Sequence, residues 1–353
     1  MKTKSPVPFS EIIKSLLDNS KSFPPQYLHR FADLNEENCQ SLDEIWLQVA
    51  EQRRINLFED LEDLLESDTT VLFDEISQMA LKDPNPQVRA SAVRLLAEHT
   101  RESRARIFIK YAENDPDEFV RAAATSALGQ YVYEGEMEEI QEETKEKVES
   151  FLMKKLAGSD TTLVRRRALE AISFSSRDEI PSLIEKAYHS NDSAWLISAL
   201  FAMGRSMDNA RWEKPILENI SSPDTEVSFE AVRAAGEMAL QPARPILMDM
   251  LKDYEELDED VRGAVIWSLS QIGGEGVRVK LEELADELDD DEEIDLIEDA
   301  LENLEFTEDL SLAGMFDIDM LKGSDLDTII DLEHDELDNE DFDETSWDEG
   351  EKA

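Results

Sequence analysis

The stretch Asp83-Pro84-Asn85-Pro86-Gln87-Val88-Arg89-Ala90-Ser91-Ala92-Val93-Arg94-Leu95-Leu96-Ala97-Glu98 decides the architecture, because it recurs. Asp115-Pro116-Asp117-Glu118-Phe119-Val120-Arg121-Ala122-Ala123-Ala124-Thr125-Ser126-Ala127-Leu128-Gly129 repeats it one helix pair later. Working outward, the same unit is found seven times: a helix A, a short turn carrying Asp or Pro, and a helix B whose first turn bears an aliphatic anchor. The anchors are Val88, Val120, Val164, Leu196, Val227, Val261 and Ile294, separated by 32, 44, 32, 31, 34 and 33 residues. Near-constant spacing over seven copies is the mark of a repeat array.

The substitution pattern gives the reason for the repetition. Four residues past the anchor stand Ala92, Ala124, Ala168, Leu200, Ala231 and Val265; eight past it stand Leu96, Leu128, Ile172, Gly204, Ala235 and Leu269. Offsets of four and eight stay on one helix face, so each helix B offers an apolar stripe with a mostly alanine notch. The notch lets the next helix approach closely. Pro181, Pro215 and Pro245 each precede a leucine by two (Leu183, Leu217 and Leu247), which predicts that proline opens helix A in three consecutive units.

The Asp-Pro turn followed by Val-Arg-Ala-x-Ala resembles HEAT repeats. It is most similar to the short bacterial kind related to phycobilisome-lyase-like repeats. The residues that carry the resemblance are Asp83/Val88/Arg89, Asp115/Val120/Arg121 and, more loosely, Asp258 to Val265, within roughly residues 71–305. Such a resemblance implies an all-α fold, a right-handed α-solenoid of about seven helix pairs with the B helices on a concave face. Ile197 and Ser228 stand where arginine is expected, so an Asp–Arg ladder between neighbouring turns should be interrupted there.

Residues 1–70 read as an N-terminal helical cap, 71–306 as the repeat array and 307–353 as an acidic tail. In the cap, Asn35 or Ser41 starts one helix, and a helix from about Gln52 to Glu66 aligns Ile55, Phe58, Leu61 and Leu65. The 44-residue gap holds about twelve extra residues around Tyr131–Lys147, expected to lengthen a helix A with a solvated acidic face.

Charge sets the tail apart. Residues 281–353 carry 32 Asp and Glu against Lys322 and Lys352, a net of −30, which leaves −19 of the total −49 for the first 280 residues. From 307 onward the large apolar residues are scattered among carboxylates, a composition too charged to offset chain entropy by burial, so disorder is expected. Polyanions are repelled by nucleic-acid phosphates and anionic membranes, so general nucleic-acid binding is disfavoured. The chain shows no secretory signal segment and no run of about 18 apolar residues, which reads as a cytoplasmic protein.

No catalytic constellation emerges. His29, His99, His189 and His334 stand apart from one another, Cys39 is the single cysteine, and no phosphate-loop, nucleophile-elbow or EF-hand spacing occurs. The expectation is a non-enzymatic scaffold that holds a protein partner on its B-helix face, without cofactor or metal. Its candidate contacts are Arg89, Arg94, Arg121 and Arg165, a cationic strip extended by Arg233, with Trp195 and Trp267, and Phe316, Ile318, Leu321 and Trp347 in the tail. For Arg165 itself the first expectation is a place in the Asp ladder. Two alternatives stand beside the scaffold. The resemblance to phycobilisome-lyase-like repeats implies a bilin-type lyase or chaperone, with Tyr131, Tyr133, Trp195 and Trp267 lining a pocket. The tail's charge suits a spacer, an interaction segment, a nucleic-acid mimic or an intramolecular lid over the basic strip.

Overall fold

Alanine at the notch positions has the consequence expected of it. In the computed structural model, which describes residues 7–32, 34–68, 70–206, 208–291 and 293–306, every residue at offsets four and eight is buried. Ala92, Ala124, Ala168 and Ala231 are fully shielded, as are Leu96, Leu128 and Ile172. Burying each anchor valine stabilises by about 1.5–3 kcal/mol, and Val88, Val120 and Val164 are completely enclosed. Leu196 is only half-buried, the first sign that the fourth unit differs.

All regular structure among the described residues is helical. The N-terminal part holds α1 (Phe9–Leu17), a 3-10 turn at Pro25–Phe31, α2 (Glu36–Ile45), a second 3-10 turn at Trp46–Gln48, and α3 (Glu51–Ser67). Asn35, not Ser41, caps α2: its side chain accepts from the Asn38 N–H at 2.9 Å, and Ser41 lies inside the helix. The pairs then follow: α4 (Asp74–Ala80) with α5 (Pro86–Ala97), and α6 (Glu102–Asn114) with α7 (Glu118–Ser126) and its continuation α8 (Gly129–Glu136). Next come α9 (Glu142–Ala157) with α10 (Thr162–Ile172), α11 (Ile180–Tyr188) with α12 (Ser193–Arg205), and α13 (Asn209–Asn219) with α14 (Thr225–Glu237). The last described elements are α15 (Arg244–Met250), α16 (Glu259–Ile272), α17 (Val277–Glu287) and helical residues 293–306.

The chain divides into two compact units, Met1–Ser268 and Leu269–Ala353. In the first, the B helices α5, α7, α10, α12 and α14 pack each on the next, and α3 packs on α5. In the second, Gly273, Gly274 and Gly276 take φ values of +60°, +98° and +86°, a turn between helices that L side chains resist. There α17 and residues 293–306 bury Leu281, Leu284, Ile297, Ala300 and Leu304.

Two expectations need correction. Pro181 and Pro245 do stand at the start of α11 and α15, but Pro215 lies inside α13. That helix starts earlier because the Asp208 carboxylate accepts from the Arg211 N–H at 3.3 Å and fixes its first turn. Second, the extra residues of the long gap do not all enter a helix A. Tyr131–Glu136 prolong helix B as α8, Glu138 reverses the chain at φ +60°, and only the rest lengthens α9. The physical reason is Tyr131, whose ring is fully buried against Phe108 at 6.1 Å and whose hydroxyl donates to the Arg101 carbonyl at 2.9 Å. That contact holds the extension on the previous helix A.

Candidate interaction surface: a polar ladder beside an aromatic groove

Two surfaces of the first unit gather the candidate residues, and they separate arginines that the sequence grouped in one strip. The first is a ladder of ion pairs along the turns. Arg54 meets Asp83 at 2.7 Å, and the Trp46 indole donates to the same carboxylate oxygen at 2.7 Å. Arg89 donates from Nε and Nη2 to Asp115, at 2.9 and 2.8 Å, while its Nη1 donates to the Asp83 and Pro84 carbonyls. Arg121 repeats this with Asp160, and its Nη1 donates to the Asp115 and Pro116 carbonyls. Each arginine therefore ties its own turn to the next.

The electrostatics follow from the geometry. Hydrogen bonding to Asp115 and to Asp160 pushes the Arg89 and Arg121 guanidiniums further up. Burial works to raise the Asp160 carboxyl, but hydrogen bonds from Arg121, the Thr161 N–H and Lys155 outweigh it and hold the group at about 2. Arg89 and Arg121 are therefore structural in this geometry, closed off by their carboxylates.

The ladder aspartate is marked by its own backbone bond. Asp83, Asp115 and Asp160 each accept an N–H from one or two residues on, at 2.7, 2.9 and 2.8 Å. In the fourth and fifth units the same place in the turn is taken by serine: Ser190 accepts from the Asp192 N–H and Ser222 from the Asp224 N–H, both at 3.2 Å. The turn survives and the carboxylate does not. By register, Ile197, the expected gap in the arginine series, is the counterpart of this second serine. At the other gap Ser228 keeps the turn tied by donating to the Ile220 carbonyl at 2.6 Å.

Arg165 does not join the ladder. Its Nε donates to the Leu156 carbonyl at 3.0 Å, and its guanidinium lies 5.5 Å from the centre of the Trp195 ring. Both residues line a cavity of about 400 Å³ with Ser190, Leu183 and Lys186. The reason is Ser190, which offers no charge where an aspartate would stand.

The second surface is a groove of about 810 Å³ on the B helices, lined from α5, α7, α8, α10 and α12. Its floor is small: Ala122, Ala123, Ser126 and Ala171. Its walls are aromatic. Phe119 is 64% exposed, and Phe174 and Phe201 flank the Arg205 guanidinium at 5.3 and 4.6 Å. Tyr133, carried by α8, stands edge-on to Phe174 at 5.2 Å. Arginine over an aromatic face adds about 0.5–2 kcal/mol and fixes the rings in place.

Every arginine bordering this groove has a carboxylate partner. Arg94 meets Glu62 at 2.7 Å, Arg167 meets Glu170 at 2.5 Å, and Arg205 and Arg233 share Glu237 at 3.2 and 2.9 Å. Glu170 is buried and also accepts from the Ser198 hydroxyl at 2.5 Å, which in turn accepts from Arg166 Nε at 2.8 Å. Glu230 is buried nearby, and burial pushes its carboxyl up to about 7, with Arg233 and Arg205 opposing and Glu237 and Glu170 adding to the rise. Arg94 and Arg233 of the expected cationic strip are thus neutralised beside an aromatic groove, whereas Arg165 is not.

Of the remaining candidates, Trp267 is partly exposed on α16, its ring close to Gly236. Phe316, Ile318, Leu321 and Trp347 lie outside the described residues. The four aromatics of the prosthetic-group reading are not brought together, since Tyr131 is in the core and Trp195 lines the turn-side cavity. Phe119, Phe174 and Phe201 were missed from sequence, although Phe119 directly precedes the anchor Val120, at the exposed edge of a helical stripe. No group of three or more potential metal-ligating side chains occurs among the described residues, and no described helix is long and apolar enough to cross a membrane.

The chain resembles the solved structure of YibA from E. coli (20% identity over 79% of this chain and 96% of that one, TM-score 0.41). It also resembles importin beta (11% identity, 84% of this chain and 46% of that one, TM-score 0.40). A third likeness is to human deoxyhypusine hydroxylase (16% identity, 75% and 95%, TM-score 0.33). No curated protein matches it. A family model described as HEAT repeats matches residues 73–173 and 213–304, passing over the serine-substituted fourth unit. The match spans more than half of the chain, which belongs to the HEAT-repeat family.

Proposed function

We propose that the chain is a non-enzymatic scaffold whose B-helix groove holds a segment of a partner protein. The observation that carries this reading is the exposed Phe119 ring facing a groove whose charges are already paired. A surface of that kind favours an apolar segment, helical or extended, over a polyanion. Aromatic anchors in a small-residue trough are where binding energy concentrates. In this reading the acidic residues 307–353 serve as a spacer or interaction segment, the protein acts in the cytoplasm, and nucleic acid is not the ligand. A bilin-type lyase has less support, because its four aromatics are spread over separate places in the fold.

The test is photo-crosslinking of the full chain at physiological salt from position 119, with the crosslinker at position 47 as control, since Leu47 is 73% exposed on the N-terminal part. A specific adduct from 119 that disappears in Phe201→Ser supports the groove. The same adducts from both positions, unchanged in Phe201→Ser, would end the proposal.

A further inference from the structure

Arg165 stands where Arg89 and Arg121 stand in their own units, and it keeps its charge while the facing position, Ser190, carries none. At Arg54, Arg89 and Arg121 the Nε donates to an aspartate. At Arg165 the Nε donates to the Leu156 carbonyl, which among the described residues is its only hydrogen bond, so both Nη groups remain as donors. The neighbouring rung shows what a coherent loss looks like, since Ile197 and Ser222 remove arginine and aspartate together. Arg165 and Ser190 do not.

The surroundings specify a ligand. The cavity of about 400 Å³ is walled by Leu156, Leu169 and Leu183, faced by the Trp195 indole, and carries the exposed Lys186 at its rim. Two cationic groups beside an apolar wall select a carboxylate attached to an apolar body. Asp83, Asp115 and Asp160 each reach their arginine from a turn of the chain, so the carboxylate that fits here also arrives on a backbone. We propose that this cavity receives an acidic turn of a partner protein, in which an Asp next to a leucine-like residue pairs with Arg165 and completes the rung in trans. The site is independent of the B-helix groove, and failure of either leaves the other standing.

The experiment uses the full chain and the peptide acetyl-Ala-Leu-Asp-Pro-Leu-Ala-amide, with the version carrying Asn for Asp as control. Binding is read at the Trp195 indole N–H by NMR, assigned through its loss in Trp195→Phe. The Asp peptide should bind at least tenfold more tightly than the Asn peptide. Arg165→Gln should weaken it at least tenfold. Ser190→Asp, which supplies the carboxylate in cis, should raise the melting temperature and abolish binding, while Phe201→Ser should leave binding unchanged. Equal binding of the two peptides would overturn the proposal, as would Ser190→Asp that binds like wild type. Octanoate that shifts the Trp195 signal where the peptide does not would overturn the assignment to a peptide.

Discussion

Arg89 and Asp115 form a two-point ion pair in which both side chains are at most 10% exposed and both donors of one guanidinium edge meet both oxygens of one carboxylate. Their positions are 26 residues apart, one turn to the next. Removing one partner from such a pair leaves a buried charge unmatched, which costs about 3–5 kcal/mol. Asp115→Ala is therefore expected to lose that much in urea unfolding. Arg94→Ala removes the same residue type from a pair in which the guanidinium is 55% exposed, and should cost at most about 1 kcal/mol. Equal losses from the two variants would contradict the ladder as a stabilising element.

Close packing of the B helices makes a second prediction. A methyl group at Gly236 would fall 2.6 Å from the Ser268 hydroxyl oxygen and 2.8 Å from the Ser268 Cα, so backbone must move. At Gly129 the nearest atom would be the Ala171 Cα at 3.2 Å, a contact that small shifts relieve. Gly236→Ala should destabilise by about 1–3 kcal/mol, and Gly129→Ala by clearly less or not at all. Helix propensity alone would favour alanine at both sites, so thermal melts of the two variants separate packing from propensity.

Much of the array was legible because its signal is periodic: the stripe at offsets four and eight is buried throughout. The ladder was only half legible. Counting from the anchor places Asp83 and Asp115 five residues back, Asp160 four back and Ser190 six back. Turn length varies by a residue, and the fixed count therefore hid Ser190 as the counterpart of Arg165. The backbone N–H that each of these residues accepts identifies them instead. Arg54 and Trp46 escaped for a related reason, since no Asp-Pro turn precedes them. The groove was missed because Phe119, Phe174 and Phe201 sit at different offsets in different units, and only the fold gathers them.

Asp160 gives the acid limb of stability. Its folded carboxyl, at about 2, lies below its ordinary value of 3.8. A depressed carboxylate contributes stability that is complete above the unfolded value and lost as pH falls through the folded one, here about 2 kcal/mol between pH 4 and 2. Asp160→Asn should remove this component, so its stability difference from wild type should shrink as the pH is lowered from 5 to 2. A difference that stays constant over that range would show that the Asp160 carboxyl is not held below its ordinary value in the folded chain.

Glu230 has the opposite sign. Burial raises its folded carboxyl from 4.5 to about 7, so below pH 4.5 it is protonated in both states and costs nothing. Between pH 4.5 and 7 the unfolded chain releases this proton and the folded chain keeps it, so stability falls as pH rises, by on the order of 3 kcal/mol in all. The groups facing it are Arg233 and Glu237 on its own helix, Arg205 on α12 and Glu170 on α10. Glu230→Gln keeps the shape and cannot ionise. It should match wild type near pH 4.5, exceed it in melting temperature at pH 8, and flatten the profile between. A wild-type profile that is already flat over this range, or a glutamine variant less stable at pH 8, would place Glu230 in a paired and ionised state instead.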